Sequence, residues 1–211
     1  MTDTSVESVT VVDLMRHGEP EGGRRFRGAI DDPLSAKGLA QMRARVGDHC
    51  PWGRVVTSPL QRCSAFAREL ATRHGLGLAE DQDLREESFG RWDGRAVDEV
   101  AASEPEALAA FWRDPAGHFP PGGEPLAAFR QRILTAWGRL LDRHGGEHLL
   151  LVVHGGVIRV LLAHVLGMPL AHLWRIEVPY AALTRLRVFG HGPDARPVLA
   201  FHNGDLPPPV P

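Results

Sequence analysis

Two apolar runs, each followed directly by histidine and glycine, stand out along this chain. The first spans residues 9–15 (VTVVDLM) and precedes Arg-His-Gly-Glu at 16–19. The second spans residues 149–153 (LLLVV) and precedes His-Gly-Gly at 154–156. Runs of this length and composition predict buried strands. Because open α/β sheets bind ligands at the carboxyl ends of their strands, we expect both histidines at a ligand-binding edge.

Strand and helix patterns alternate along the rest of the chain. This alternation favours an α/β fold in which a mostly parallel sheet is covered on both faces. Ser35 is expected to cap a helix, and Ser58-Pro59 is expected to start another, with serine as its N-cap. The predicted helices span residues 36–46, 59–74, 126–140 and 157–166. The predicted further strands span residues 54–57, 175–178, 183–189 and 198–201.

The length of 211 residues fits a single domain. We expect this domain at residues 9–206, with disordered tails at 1–8 and 207–211. Between about 93 and 125, helical fragments are interrupted by several prolines. This region is therefore predicted to form a small helical cap inserted into the domain.

Composition and charge exclude several classes of partner. The formal net charge of −2 provides no global attraction for nucleic acid or anionic membranes, so any anion site must be built locally. No segment has the roughly 20 apolar residues of a membrane helix, and the N-terminus lacks the pattern of a signal peptide. Cys50 and Cys63 form no CxxC pair, and the 11 histidines form no ligand cluster. We therefore expect a cytoplasmic protein without a metal site or cofactor.

Five candidate catalytic residues lie at strand ends, at a helix start or in an irregular stretch. They are His17, His154, Arg16, Arg62 and Glu86. Arginine matches a phosphate group with its planar fork and stays charged, and histidine acts as a nucleophile or donor near neutral pH. A carboxyl group can protonate a leaving oxygen and then accept a proton from water. Phosphoryl transfer needs this set of groups, and fixed cations make a metal ion dispensable.

The segments that carry these residues resemble, in this order, the phosphoglycerate-mutase-like histidine phosphatase superfamily. The matching segments are residues 16–19, 58–62, Glu86 with Phe89-Gly90, and residues 154–156. The resemblance implies a three-layer α/β/α sandwich with a central, mostly parallel sheet, and a phosphohistidine intermediate.

The same resemblance implies a role for each candidate residue. His17 would be the nucleophile, and Glu86 would be the general acid and then the base. The other residues would hold the phosphoryl group or line its pocket: Arg16, Arg62, His154, Arg27, Gly28 and Gly155.

Several assignments have alternatives. Glu87 competes with Glu86 for the acid role, but the family spacing favours Glu86 and leaves Glu87 as a solvated charge. Arg24 and Arg25 are either rim charges that attract anions or a solvated run. Cys63 is interpreted as a buried small residue rather than a nucleophile. Four aromatic side chains are expected to pack the cap rather than stack on substrate: Trp92, Phe111, Trp112 and Phe119.

Two motifs depart from the mutase pattern. Mutases usually carry Trp-Asn shortly after Arg-His-Gly-Glu, where this chain has Pro-Glu-Gly-Gly at 20–23, and they have His-Gly-Asn at the second histidine. The segment between 94 and 149 is also too short for the mutase insertion that holds a second phosphate. The chain is therefore predicted to be a phosphatase. A non-catalytic binding module is disfavoured, because all five candidate catalytic residues are present.

Within the phosphatases, the chain is similar to the α-ribazole phosphatases, which act on a nucleotide-like intermediate of cobalamin synthesis. The similarity rests on residues 24–28, 32–35, 86–94 and 120–124. It implies α-ribazole 5′-phosphate as substrate, with a broad-specificity phosphatase as the alternative. The expected partner is a small phosphorylated metabolite. The apolar edge near 178–186 would either pair two subunits as a homodimer or be buried in the monomer.

Overall fold

The structure is a computed structural model, and it describes residues 8–206. Its strands are β1 (Val9–Arg16), β2 (Arg54–Thr57), β3 (Gly77–Glu80), β4 (His148–Val153), β5 (Leu183–Phe189) and β6 (Arg196–His202). They form one sheet in the order β3-β2-β4-β1-β5-β6. Strands β3, β2, β4 and β1 pair in parallel, and β5 runs antiparallel to β1 and β6. The predicted mostly parallel sheet is confirmed.

Helices cover both faces of this sheet. They are α1 (Ala36–Val46), α2 (Gln61–His74), α3 (Val97–Ser103), α4 (Pro105–Arg113), α5 (Leu126–Arg143) and α6 (Gly155–Val165). Successive residues of a strand point to opposite faces. Accordingly, Leu149 and Leu151 pack with α5 and α6, whereas Leu150 and Val152 pack with α1 and α2. The predicted three-layer α/β/α sandwich is confirmed.

The predicted N-cap at Ser58 is wrong. Helix α2 begins at Gln61, and its first backbone amide donates to Asp31 Oδ1 at 2.6 Å. The Ser58 hydroxyl instead bonds to His154 Nε2 at 2.7 Å. The Ser58 side chain, which the local pattern assigned to the helix N-terminus, is therefore bonded to a residue that is distant in sequence. The predicted cap at Ser35 is confirmed, since its Oγ accepts from the amide of Gly38 at 2.9 Å.

The predicted strand at 175–178 is also wrong. A 3₁₀ helix (Leu170–Arg175) is followed by an irregular segment up to β5. Two carbonyls of this segment accept from arginine side chains rather than from a neighbouring strand: Ile176 from Arg159, and Val178 from Arg16. Strand β3 was not predicted, because its four residues are all exposed and form no apolar run.

Two short helices, α3 and α4, lie in the proline-interrupted region. With residues before and after them, they enclose a small apolar cluster of Phe26, Trp92, Val100, Leu108 and Phe111. Trp92 and Phe111 are each 1% exposed, which confirms that these two aromatic residues pack the cap. Trp112 and Phe119 differ from them, since both are exposed.

The remaining sequence expectations concern the chain ends and one apolar edge. The tails predicted at 1–8 and 207–211 lie outside the described residues, apart from Ser8, whose carbonyl accepts from the amide of Gly190 at 3.1 Å. At the edge near 178–186, Val178, Leu183 and Leu186 are buried in the core. This confirms the monomer-burial alternative for these residues.

One buried ionic group lies in the sheet away from the strand ends. Asp13 on β1 accepts from Arg185 Nε and Nη2, both at 2.8 Å, from Trp52 Nε1 at 2.8 Å and from His148 Nε2 at 2.9 Å. We call these four residues the balanced cluster. Burial alone would raise the pKa of Asp13, but the hydrogen bonds from Arg185 and His148 outweigh it and lower that pKa.

Candidate active site

The two His-Gly motifs meet at one edge of the sheet. Strands β1 and β4 are parallel neighbours in which Arg16 pairs with Val153, so the following residues, His17 and His154, lie side by side. Their ring centroids are 5.3 Å apart. Arg62, from the second residue of α2, reaches the same place, where its Nε donates to His154 Nδ1 at 3.3 Å. We call Arg16, His17, Arg62 and His154 the cationic cluster.

His17 is held as a neutral ring with one free nitrogen. Its Nδ1 is 2.8 Å from the carbonyl oxygen of Gly18, which can only accept, so Nδ1 carries the proton. Burial, followed by the charges of Arg16 and Arg62, lowers its pKa well below the usual value. The Nε2 lone pair of His17 is therefore available at neutral pH.

His154 and Arg62 lie behind His17, and neither is exposed. Since His154 Nδ1 accepts from Arg62, its Nε2 carries the proton and donates to Ser58 Oγ. Burial and the Arg62 charge lower the pKa of His154 well below the usual value. Arg62 also donates to the carbonyls of Ile30 and Gly28, at 2.7 and 2.9 Å. Both side chains are fixed by the protein before any ligand arrives.

A cavity of about 670 Å³ opens in front of His17. Its walls combine three kinds of side chain. The cationic ones are Arg16, Arg24, Arg25, Arg27 and Arg159; the aromatic ones are Phe26, Phe89, Trp112, Trp174 and Tyr180; the acidic ones are Glu19, Glu86 and Glu177. The cavity therefore offers a positively charged floor and a partly aromatic wall.

Glu86 faces this cavity and is oriented by backbone amides. Its Oε2 accepts from the amide of Gly156 at 3.0 Å, and its Oε1 accepts from the amide of Glu87 at 3.2 Å. A Cβ at position 156 would collide with Glu86 Oε1. Glycine in the second position after His154, where mutases have asparagine, is therefore required for this placement of Glu86.

The prediction that Glu87 is a solvated charge is wrong. Its side chain is buried, with 4% of the residue exposed, and its Oε1 has no hydrogen-bond partner among residues 8–206. Burial, followed by the charges of Glu86 and Glu124, raises the pKa of Glu87 to about 8. Glu87 does not line the cavity. It is a neutral core carboxyl at neutral pH, which local sequence could not indicate.

The loop after β1 contributes unevenly to the cavity. Arg27 lines it, with its Nε paired to Asp32 Oδ2 at 2.8 Å. Gly28 does not line it, contrary to expectation; its amide donates to Asp93 and its carbonyl accepts from Arg62. Arg24 and Arg25 line the cavity; Arg24 is exposed, whereas Arg25 is half-buried and its Nε donates to the carbonyl of Gly22 at 2.9 Å.

Gly155 lines the cavity, as expected. The prediction of a buried Cys63 is confirmed: it is 0% exposed, and burial raises the pKa of its thiol. Among the predicted aromatic residues only Trp112 lines the cavity, where it is 43% exposed.

Several cavity residues were not singled out from the sequence, among them Trp174, Glu177, Tyr180 and Arg159. Tyr180 lies under the Arg16 guanidinium, whose carbon is 4.3 Å from the ring centroid. Arg159 lies on α6, four residues after Gly155, and residues with this spacing share one helix face. That spacing, with a lone arginine in an apolar helix, is the signal that indicates Arg159. Nothing local indicates Tyr180.

The fold and the site together define the class of this protein. The chain matches the histidine phosphatase superfamily (branch 1) over residues 12–198 and belongs to it. It is an enzyme of the phosphatase type, because homologues and structural neighbours of this chain are named as phosphatases.

Its relatives include named enzymes. The adenosylcobalamin/alpha-ribazole phosphatase of Salmonella typhimurium is 32% identical over 169 residues, which are 78% of this chain and 84% of the relative. The phosphoglycerate mutase-like protein 4 of Arabidopsis thaliana is 34% identical over 155 residues, 70% of this chain and 67% of the relative.

Solved structures with the same fold are also phosphatases by name. A mycobacterial glucosyl-3-phosphoglycerate phosphatase superposes with a TM-score of 0.83 at 28% identity, covering 93% of this chain and 100% of its own. The alpha-ribazole phosphatase of Shigella flexneri superposes with a TM-score of 0.77 at 26% identity, covering 92% and 96%. Both resemble this chain over nearly its whole length.

Among residues 8–206, no group of three or more His, Cys, Asp or Glu side chains is arranged to hold a metal ion. In the same part of the chain, none of the helices is long and apolar enough to cross a membrane.

Proposed function

We propose that this protein is a metal-independent phosphomonoesterase that acts through a phosphohistidine intermediate. The observation that carries the proposal is the state of His17. Its Nδ1 donates to the carbonyl of Gly18, its Nε2 lone pair is free, and it lines the cavity together with Arg16 and Glu86. A neutral imidazole beside fixed positive charge is suited to attack a phosphorus atom.

The reaction proceeds in two steps. In the first, His17 Nε2 forms a bond to phosphorus while the ester oxygen leaves and takes a proton from the Glu86 carboxyl. In the second, the Glu86 carboxylate accepts a proton from water, the resulting oxygen bonds to phosphorus, and the bond to Nε2 breaks. Inorganic phosphate leaves, and His17 and Glu86 regain their starting states.

The arginines stabilise the charge of the transferred group. Arg16 lines the cavity and its Nε is buried without a hydrogen-bond partner among residues 8–206, so it is the group that meets the phosphoryl oxygens directly. Arg62 and His154 act from behind His17, where they add positive potential and hold the ring in place.

Exchanging each of two adjacent carboxyl groups for an amide separates their roles. We expect Glu86→Gln to lower kcat by about 10³-fold, because it removes the proton donor. We expect Glu87→Gln to retain near-normal kcat and to raise the free energy of unfolding by an amount that grows between about pH 4.5 and pH 8, because in this range the unfolded chain releases the Glu87 proton that the folded chain keeps, and the amide has no such proton. A loss of turnover in the Glu87→Gln variant alone would reverse the assignment of the acid.

The substrate is proposed to be a small phosphorylated metabolite, with α-ribazole 5′-phosphate as one candidate. Similarity to enzymes named for that substrate and the aromatic wall of Trp112 and Trp174 support it, because a flat base can stack on such side chains. A broad-specificity phosphatase is the alternative. A mutase is disfavoured, since it would need a bisphosphate primer and a second phosphate site.

Trapping the phosphoenzyme tests the proposed chemistry. Quenching with alkaline detergent during turnover of a 32P-labelled aryl phosphate is expected to yield a base-stable phosphoprotein that loses its label in acid, with activity retained in EDTA. The His17→Ala variant is expected to lose both the label and the turnover. A strict Mg²⁺ requirement, or label retained without His17, would overturn the proposal. Comparing kcat/KM across phosphomonoesters, including α-ribazole 5′-phosphate, then ranks the substrates.

A further inference from the structure

A second arginine approaches the floor of the cavity beside Arg16. A Cβ placed on Gly155 would lie 3.1 Å from Arg159 Nη1 and 3.4 Å from Arg16 Nε. The two guanidinium groups therefore come close to the same point, and only the missing side chain of Gly155 leaves that space open. An anion placed at that point would be attracted by both guanidinium groups.

Arg159 is held in place with part of its fork left free. Its Nε donates to the carbonyl of Ile176 at 2.9 Å, and its guanidinium carbon is 5.3 Å from the centroid of the Trp174 ring. Within residues 8–206 these are its only such contacts, so Nη1 and Nη2 have no hydrogen-bond partner. A guanidinium fixed before binding loses little entropy when it receives a ligand.

The proposed reaction does not use this charge. Arg16 already provides a donor to the phosphoryl oxygens, and Arg62 adds positive potential from behind His17. Burial lowers the pKa of Arg159, so the protein maintains this cation at a cost. A cation that is fixed, desolvated and open towards the ligand space indicates that an anionic ligand group belongs there.

The charges around Arg159 indicate what kind of anion fits. Glu86 and Glu177 both line the cavity, and both are near enough to affect the Arg159 charge. Glu177 would repel a second phosphate dianion about twice as strongly as a singly charged group, and the two oxygens of a carboxylate also match the free pair of nitrogens.

We infer that Arg159 binds a carboxylate that the substrate carries next to its phosphate ester. The inference rests on the proposed function and narrows it: phosphomonoesters of hydroxy acids or hydroxyamino acids are the preferred class. A nucleoside monophosphate such as α-ribazole 5′-phosphate has no such carboxylate and ranks below them. Arg159 is a specificity-determining residue, and the chemical step remains that of His17 and Glu86.

A matched pair of substrates tests the inference. O-phosphoserine and O-phosphoethanolamine differ only in the carboxylate, and we expect wild-type kcat/KM to favour O-phosphoserine by about 10- to 100-fold. Arg159→Gln is expected to bring this ratio close to one, and Arg159→Lys to give an intermediate ratio because it retains charge but loses the fork. The control Arg68→Gln, exposed on α2, is expected to keep the wild-type ratio.

Binding measured by calorimetry separates this inference from the proposed reaction. We expect wild-type protein to bind phosphonoacetate about 10- to 100-fold more tightly than methylphosphonate, which lacks the carboxylate. If the protein shows this binding preference but hydrolyses neither ester, the proposed function is rejected and the carboxylate site is retained. Turnover of both esters at equal kcat/KM would overturn the inference and keep the function. A preference of more than about tenfold for 1,3-propanediol bisphosphate, which has a second phosphate and no carboxylate, over O-phosphoserine would overturn the choice of a singly charged group.

Discussion

The balanced cluster and the cationic cluster both take residues from the β1 and β4 segments, but they are built on opposite electrostatic principles. Strand β1 carries Asp13 and, about 10 Å further on, Arg16, which His17 follows directly. Strand β4 begins with His148 of the balanced cluster and leads to His154 of the cationic cluster. The same two neighbouring strands therefore support both groups.

The two clusters differ in what satisfies their charge. In the balanced cluster, one carboxylate receives four hydrogen bonds from the protein, so its ionised form is stabilised. In the cationic cluster, burial lowers the pKa of Arg16, His17 and His154, and neighbouring arginines lower it further. A buried charge whose partners are all supplied by the protein serves the fold. A buried cation without an anionic partner from the protein is available to bind an anionic ligand.

The same substitution in each cluster gives the largest expected contrast. We expect Arg16→Met to lower kcat/KM by about 10³-fold, because it removes a donor aimed at the phosphoryl oxygens. The free energy of unfolding should change by less than about 1 kcal/mol, since relief of like-charge repulsion offsets lost contacts. Steady-state kinetics and urea titration measure the two quantities. A large loss of stability with full activity would show that Arg16 stabilises the fold and is not needed for the reaction.

Arg185→Met is expected to show the opposite behaviour. Without Arg185, Asp13 remains buried with its charge uncompensated, which costs about 3–5 kcal/mol of stability. We expect kcat/KM of the folded fraction to stay within about twofold of wild type, because the cavity lies beyond this cluster. Urea titration with activity measured on the native protein checks both. Equal losses in the two assays would mean that the clusters are coupled.

An added anion should stabilise the folded protein only by binding at the cationic cluster. At orthovanadate concentrations near 100 times its Kd, we expect about 2.7 kcal/mol of added stability, or a Tm increase of about 5–10 °C. Arg16→Met should abolish most of this increase, whereas Arg185→Met should retain it from a lower starting Tm. Thermal unfolding followed by circular dichroism measures the shift. An equal increase in both variants would place the anion elsewhere.

Acid should act first on the cationic cluster. The pKa of His17 is lowered in the folded protein, so near pH 6.5 the unfolded chain binds a proton at this residue and the folded chain does not. The free energy of unfolding therefore falls as the pH drops below about 6.5. The Asp13 contribution persists until about pH 4, since its folded pKa is also lowered. We expect His17→Asn to reduce the slope between about pH 6.5 and 5 by up to about 1.4 kcal/mol per unit. An unchanged slope would mean that His17 is protonated in the folded state.

Local pattern was sufficient for five of the six strands, for most helices and for the two histidines of the site. Strands β1 and β4 are continuous apolar runs because both of their faces are buried, and such runs are visible in sequence. His17 and His154 follow directly from those strand ends. Arg62 and Glu86 were found through their motif spacing, which the resemblance to the superfamily carried.

Only the tertiary structure decided the environments of individual side chains and the pairing of one segment. Whether Glu87 is solvated, whether Ser58 caps a helix and whether residues 175–178 pair as a strand depend on partners that are distant in sequence. Arg159 and Gly155 share a helix face, but only packing brings Arg16 to the same point. Hydrophobic periodicity records which face of an element is buried, and it contains no information about which charges meet there. The sequence by itself therefore determined the fold and the reacting groups, and packing determined their protonation and the extra cation beside them.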